Sequence, residues 1–254
     1  MRPQALHTAR EAFSWLAVAV LALLCAAFLS GCDRLEGLPL FKRSAKPAAA
    51  APALPKAAPG KDSPAPAATA GRGVPQAATK YRADLTRNAR AVWGLDAPVA
   101  VFAAQVHQES GWREAVKSPV GAQGMAQFMP ATAKWISGAY PELRANEPMN
   151  PSWALRALVT YDLHLWERVQ AASSCDRMAF TLSAYNGGLG WVQRDRKVAA
   201  DQGLEPGRWW EHVERVNAGR SAANWRENRG YPERILRKLA PVYASAGWGQ
   251  GVCQ

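Results

Sequence analysis

The clearest helical signal in the chain begins at Val99. Val99, Phe102, Ala103 and Val106 recur at the spacing of one buried helix face. Asp96-Ala97-Pro98 precedes them as a start signal, an N-cap aspartate followed by an early proline. Continuing the spacing brings Glu109 near the end of the same apolar face, where it points inward at a cleft wall, and Gly111 ends the helix. Further helices are predicted from Pro130 to about Ser137, and from an Asn150-Pro151-Ser152 cap through Trp153, Leu158, Val159, Leu165, Trp166 and Val169. Others run from an Asp176 cap to near Tyr185, around 206–217 and around 231–244. Val120–Gln127 reads as a turn leading into a short helix. Gly187, Gly188 and Gly190 read as a break before Trp191. No segment alternates convincingly as a strand, and no repeat is evident. The expected class is mainly α.

The first third of the chain follows other patterns. Arg2 and Arg10 precede an uncharged, mostly apolar run of about fifteen residues, Trp15 to Leu29, which suits a signal-peptide core and is short for a membrane span. Leu29-Ser30-Gly31-Cys32 then resembles a bacterial lipobox, in which small residues precede a cysteine that is lipidated and becomes the new N-terminus. The alternative is an ordinary anchor helix with an incidental cysteine. Residues 42–79 are dominated by Ala, Pro, Lys and Gly and hold too few large apolar side chains to offset their conformational entropy. Such a tether reaches about 100 Å at full extension, and a passive spacer reads the same. Three regions are therefore expected: 1–31 a lipoprotein signal peptide, 32–79 a lipidated N-terminus and disordered linker, and 80–254 a catalytic domain that holds nearly all of the eleven tryptophans.

The candidate chemistry lies around Glu109. It stands in Gln108-Glu109-Ser110-Gly111-Trp112, followed by Ser118-Pro119-Val120-Gly121-Ala122-Gln123-Gly124-Met125-Ala126-Gln127-Phe128-Met129-Pro130-Ala131-Thr132-Ala133. No acidic residue occurs from Val120 to Tyr140. A carboxyl in a partly desolvated pocket keeps its proton near neutral pH and can donate it to a poor leaving group. A lysozyme-like site carries a second carboxylate in the segment after the acid. Here Glu114 is only five residues on, and nothing acidic follows until Glu142. Alone, a Glu-Ser pair is common and reads first as a salt-bridged helix end.

Together with Ala184-Tyr185-Asn186-Gly187-Gly188 and Arg226-Glu227-Asn228-Arg229-Gly230-Tyr231, followed by Ile235-Leu236, these residues resemble the soluble lytic transglycosylase family. The resemblance covers residues 80–254. It implies a lysozyme-like, goose-type fold with a substrate cleft, and cleavage of peptidoglycan glycan strands. By resemblance Glu109 is the catalytic acid/base and Tyr185 lies near its carboxyl. Ser118 is placed to hydrogen-bond the substrate near the reacting sugar, Gln127, Met129 and Thr132 line the glycan groove, Asn186 helps hold the glycan, and the third block buttresses the cleft. The sequence departs from the family at Gly124-Met125-Ala126-Gln127, where the family has Gly-Leu-Met-Gln, at Asn228 for a threonine and at Pro232 for a β-branched residue. With no second carboxylate in reach, the C6 hydroxyl of N-acetylmuramic acid is expected to attack C1, giving a 1,6-anhydro end.

Each of these residues has a plainer reading beside the functional one. Tyr185 and Asn186 also suit a helix end, Met129 suits a core position, and most tryptophans suit the core. Trp112, Trp191 and the Trp209-Trp210 pair are the sugar-stacking candidates. His107 falls on another helix face and reads as structural. Arg194, Arg196 and Lys197 read as a solvated face or as partners of peptide-stem carboxylates.

The net charge of +11 points first to nucleic acid, yet export and the absence of any nucleic-acid-binding signature point away from it. Peptidoglycan and lipid headgroups are the nearer anions. After processing, Cys175 and Cys253 form an even pair in an oxidising space, so a disulfide is expected, with two free thiols the alternative. Neither has a neighbour at metal-ligand spacing, and no metal or cofactor is expected. The rival functions are a hydrolytic muramidase, including a phage lysis enzyme, and a non-catalytic peptidoglycan-binding lipoprotein. The choice of membrane and any protein partner are not legible.

Overall fold

The computed structural model describes residues 73–253. The apolar run, Cys32 and nearly all of the Ala/Pro-rich segment lie outside them. Among the described residues nine α-helices follow one another: α1 Gln76–Thr79, α2 Arg82–Trp93, α3 Val99–Ser110, α4 Pro130–Ala139, α5 Pro151–Trp166, α6 Ser174–Gly187, α7 Leu189–Asp201, α8 Ala222–Pro232 and α9 Ala240–Ser245. A π-wound segment, Glu233–Leu239, joins the last two. Among the described residues there is no strand, and no helix is long and apolar enough to cross a membrane. Ala78 of α1 is already part of the core.

Helix α3 is almost wholly buried, from Val99 to His107 and again at Ser110. It packs against α2, α9 and the π-wound segment, while α5 packs against α2 and α6. Its C-cap is Gly111 in the left-handed conformation, as expected. Its start differs from expectation. Pro98 occupies the N-cap position and no side chain caps it, so Asp96 plays no capping part. Asn150 does cap α5, accepting from the backbone N–H groups of Ser152 and Trp153.

Helix α6 is capped by Ser173 rather than Asp176. Asp176 is buried and accepts from Ser173 Oγ and from the backbone N–H of Trp209 (2.9 Å), tying the following loop to the helix. The expected helix around 206–217 is mostly turns, with a short 3-10 segment at Val213–Arg215. No helix forms within Val120–Gln127. That stretch makes two isolated antiparallel bridges, Lys117 with Gln123 and Gln123 with Phe128.

Three helices left little mark in the hydrophobic pattern, for identifiable reasons. The buried face of α2 is Leu85 and Ala89, too small a stripe to stand out. That of α7 is Val192, Asp195 and Ala199, a carboxylate in the middle of the stripe. That of α8 is Asn228, Arg229, Tyr231 and Pro232. Its polar members are satisfied by one another and by α6 and α7, so the helix is held by hydrogen bonds where the sequence shows no apolar seam.

Cys175 and Cys253 are joined as a disulfide, as expected, tethering the C-terminal tail to the start of α6 across a separation of 78 residues. His107 is buried, its Nδ1 at 3.1 Å from Tyr243 Oη, and burial pulls its pKa down, which fits a structural role.

Candidate active site

Glu109 sits on the last turn of α3, half-buried, at a point where the helix leaves the core. Tyr231 of α8 donates its phenolic O–H to Glu109 Oε1. Removal from water raises the Glu109 pKa to about 8. The Tyr231 hydrogen bond pulls the other way, and the negative charge of Glu227 adds to the rise. The carboxyl is therefore protonated at neutral pH. With Oε1 accepting from Tyr231, the acidic proton belongs on Oε2.

Tyr231 is fixed by an unusual polar anchorage. Asn228, one turn earlier, uses both ends of its amide. Oδ1 accepts from Ser183 Oγ (2.8 Å) and Arg229 Nη1 (2.6 Å). Nδ2 donates to the Ser183 carbonyl (2.9 Å) and to Asn186 Oδ1 (3.0 Å). A Cβ at position 187 would stand 2.7 Å from Asn228 Nδ2, so Gly187 permits the approach of α8 to the end of α6. Beside it, the fully buried Asp195 carboxylate accepts from both Arg220 and Arg229. Arg229 also donates to the carbonyl of Val216 and lies over the Trp209 ring. The third sequence block thus buttresses the site as the resemblance implied, and it also supplies the residue that touches Glu109.

Tyr185 was expected near the catalytic carboxyl. Its ring stacks on that of Tyr231, with centroids 6.5 Å apart, but its hydroxyl donates to the Ala126 carbonyl at 2.8 Å. It therefore joins Tyr231 to the 116–128 loop. That loop is pinned at Gly124, where a Cβ would lie 1.7 Å from the Pro148 carbonyl oxygen. Ser118 is half-buried and its Oγ accepts from the Ala122 N–H at 2.9 Å. Gln127 adopts a left-handed φ of 50°, and its amide donates to the Gly124 carbonyl at 2.8 Å. Met129 is half-buried at the start of α4, and Thr132 is all but buried within it. None of these four hydrogen-bonds Glu109. Asn186 is half-buried beside Tyr185, contacts Glu227 Oε1 at 3.4 Å and accepts from Asn228.

Two expectations need correction. The first is that no second carboxylate is in reach. Glu227, 118 positions along the chain, bears on Glu109, and the buried Asp162 of α5 is electrostatically coupled to it. Helix packing brings both groups within electrostatic range of Glu109. The second concerns the stacking tryptophans. Trp112 and Trp209 are buried. The Trp191 ring is covered by the guanidinium of Arg194 at 3.8 Å, with that of Arg220 at 4.9 Å. Trp210 is covered by Arg237 at 3.7 Å and donates to Cys175 Sγ. An arginine thus already lies against each of these two rings. No cluster of potential metal ligands occurs among the described residues.

Residues 86–205 match the family described as Transglycosylase SLT domain. The chain is 30% identical over 139 residues to a membrane-bound lytic murein transglycosylase F of Shewanella pealeana, covering 54% of this chain and 26% of the relative. A protein of the same name from Shewanella halifaxensis is 32% identical over 109 residues, covering 42% and 22%. One from Vibrio cholerae is 29% identical over 117 residues, covering 46% and 21%. The chain spans about a quarter of the length of these relatives. Tyr231, Asn228 and Arg229 lie beyond the matched segment, while their partners Ser183, Asn186 and Asp195 lie within it.

Proposed function

We propose that this chain, whose residues 86–205 match the Transglycosylase SLT domain, is a peptidoglycan lytic transglycosylase. It would cleave the β-1,4 bond between N-acetylmuramic acid and N-acetylglucosamine and leave a 1,6-anhydromuramic acid end. The observation that carries the reading is Glu109: a carboxyl with its pKa raised to about 8, oriented by Tyr231 and standing in a motif of this family.

Such a carboxyl is protonated at pH 7 and is matched to general acid work. In the first step Glu109 Oε2 gives its proton to the glycosidic oxygen as the C1–O bond breaks. Burial then works in the opposite direction, since the new carboxylate is poorly solvated and reclaims a proton readily. The Tyr231 hydrogen bond is strongest to that carboxylate and limits the cost of forming it. In the second step the muramic acid C6 hydroxyl bonds to C1 and its proton returns to Glu109. The residue ends as it began, and no water is consumed. Ser118, Gln127, Met129, Thr132 and Asn186 are proposed as the glycan-facing residues, with Tyr185 holding the 116–128 loop against the catalytic pair.

One observation favours a second reading. Glu227 is exposed and its charge raises the pKa of Glu109, so an acidic group lies within electrostatic range of the acid, and a hydrolytic muramidase uses a second carboxylate to activate water. Asp162 is fully buried and cannot serve that role. Anchorage to a membrane of the cell envelope through lipidated Cys32 is part of the proposal, supported by Leu29-Ser30-Gly31-Cys32 and by relatives named as membrane-bound. Glu109→Gln tests the assignment: the purified variant should sediment with peptidoglycan sacculi as wild type does but release no soluble fragments. Retained release would remove Glu109 from the mechanism.

A further inference from the structure

We propose that Asp162 is a neutral carboxylic acid in a reciprocal pair with Gln105, and that this pair positions Glu109 from beneath. Gln105 lies four residues before Glu109, on the same face of α3 one turn deeper. Asp162 faces it from α5, and both residues are fully buried. Gln105 Nε2 donates to Asp162 Oδ1 at 3.3 Å. The other half of each group, Gln105 Oε1 and Asp162 Oδ2, has no partner.

Two unpartnered acceptors in one buried pair mark a missing donor. An ionised Asp162 would bury a full charge against a single amide N–H, a costly arrangement. It makes no ion pair among the described residues. The titratable groups that bear on it are Glu109 from α3, Tyr161 beside it on α5, Tyr185 from α6 and Tyr231 from α8. None is cationic. One proton on Oδ2 supplies the missing donor, and Gln105 Oε1 is the acceptor that lacks one. The pair then closes as an acid–amide ring. Burial, with the Glu109 charge adding to it, pushes the Asp162 pKa well up, consistent with this state.

The consequence falls on Glu109. A charged Asp162 beneath it would raise its pKa further and oppose the carboxylate that proton donation creates. A neutral pair adds no such charge, and it fixes the rotation of α3 against α5. Asp162 is a positioning residue and touches no reacting atom.

The activity arm of the test rests on the proposed function, and the spectroscopic arm does not. Infrared difference spectra of the full chain at pH 7, in the Glu109→Gln background, should keep a protonated-carboxyl C=O band that vanishes in the Glu109→Gln/Asp162→Asn double variant. Absence of that band overturns the proposal, whatever the enzyme's reaction. In otherwise wild-type protein, Asp162→Leu strands the Gln105 amide, and kcat should fall about tenfold with KM for glycan strands little changed. Asp162→Asn can re-form both hydrogen bonds and should restore most of that loss, with the alkaline limb of the rate profile unmoved. A downward move of that limb by about one pH unit in Asp162→Asn would reveal a charge removed, and would contradict the neutral pair.

Discussion

Tyr231 donates a hydrogen bond to the Glu109 carboxyl from 122 residues further along the chain. The contact binds the end of α3 to α8 and chooses which carboxyl oxygen is free to carry the proton. It also lowers a pKa that burial raises. Tyr231→Phe removes the bond and keeps the ring stacked on Tyr185. The rate should fall about ten- to hundredfold, the range of a hydrogen bond to a charged group. The alkaline limb, near pH 8 in the wild type, should move to higher pH. Rate profiles of the two proteins from pH 5 to about 10 check both statements; a limb that moves down contradicts the arrangement.

Tyr185→Phe acts at one remove. It leaves the Ala126 carbonyl without its donor and loosens the 116–128 loop. A smaller loss of rate than for Tyr231→Phe is expected, with a loss of stability of about 1–3 kcal/mol. Chemical denaturation and steady-state rates on the same preparations measure the two together.

The raised pKa of Glu109 also makes stability depend on pH in a definite direction. Between the ordinary value of 4.5 and about 8, the folded protein holds a proton that the unfolded chain releases. Stability is therefore fully present below pH 4.5 and declines as pH rises toward 8. The total loss is up to about 5 kcal/mol. Glu109→Gln does not titrate, so it should be more stable than wild type at pH 8 and nearly equal to it at pH 4. Melting curves across that range test the sign. A variant less stable than wild type at pH 8 would mean that the carboxylate is well solvated.

The Cys175–Cys253 bond holds the tail that follows α9 against the start of α6. Replacing both cysteines by serine should cost about 2–4 kcal/mol, measured as a lower denaturation midpoint. Activity at low temperature should survive, since neither sulfur touches Glu109 or its partners.

Much of this site was legible from residue order. The helix carrying Glu109, its stop at Gly111 and the Asn150 cap followed from spacing and from a side chain able to satisfy free N–H groups. The cysteine pair followed from counting. What the sequence hid was held by polar contacts between distant positions. Asp195, Asn228 and Arg229 read as surface residues in a linear pattern, yet they are buried and partnered. Tyr231 stood in a quoted motif, but only packing of α8 shows that it reaches Glu109 before Tyr185 does. Glu227 and Asp162 stand 118 and 53 positions from Glu109, so only helix packing shows that their charges and its own bear on one another. Trp112 and Trp209 went to the core, and an arginine lies against each of Trp191 and Trp210, a partner that hydrophobic spacing does not reveal.

The central claim is that Glu109 serves as acid and then as base to the substrate's own C6 hydroxyl, with Glu227 activating no water. Digestion of purified glycan strands in ¹⁸O-labelled water, followed by mass spectrometry of the fragments, tests it most directly. The account predicts 1,6-anhydromuramoyl ends, lighter by one water than reducing ends and free of label. Reducing muramic acid ends carrying ¹⁸O, lost in Glu227→Gln, would contradict it and establish hydrolysis.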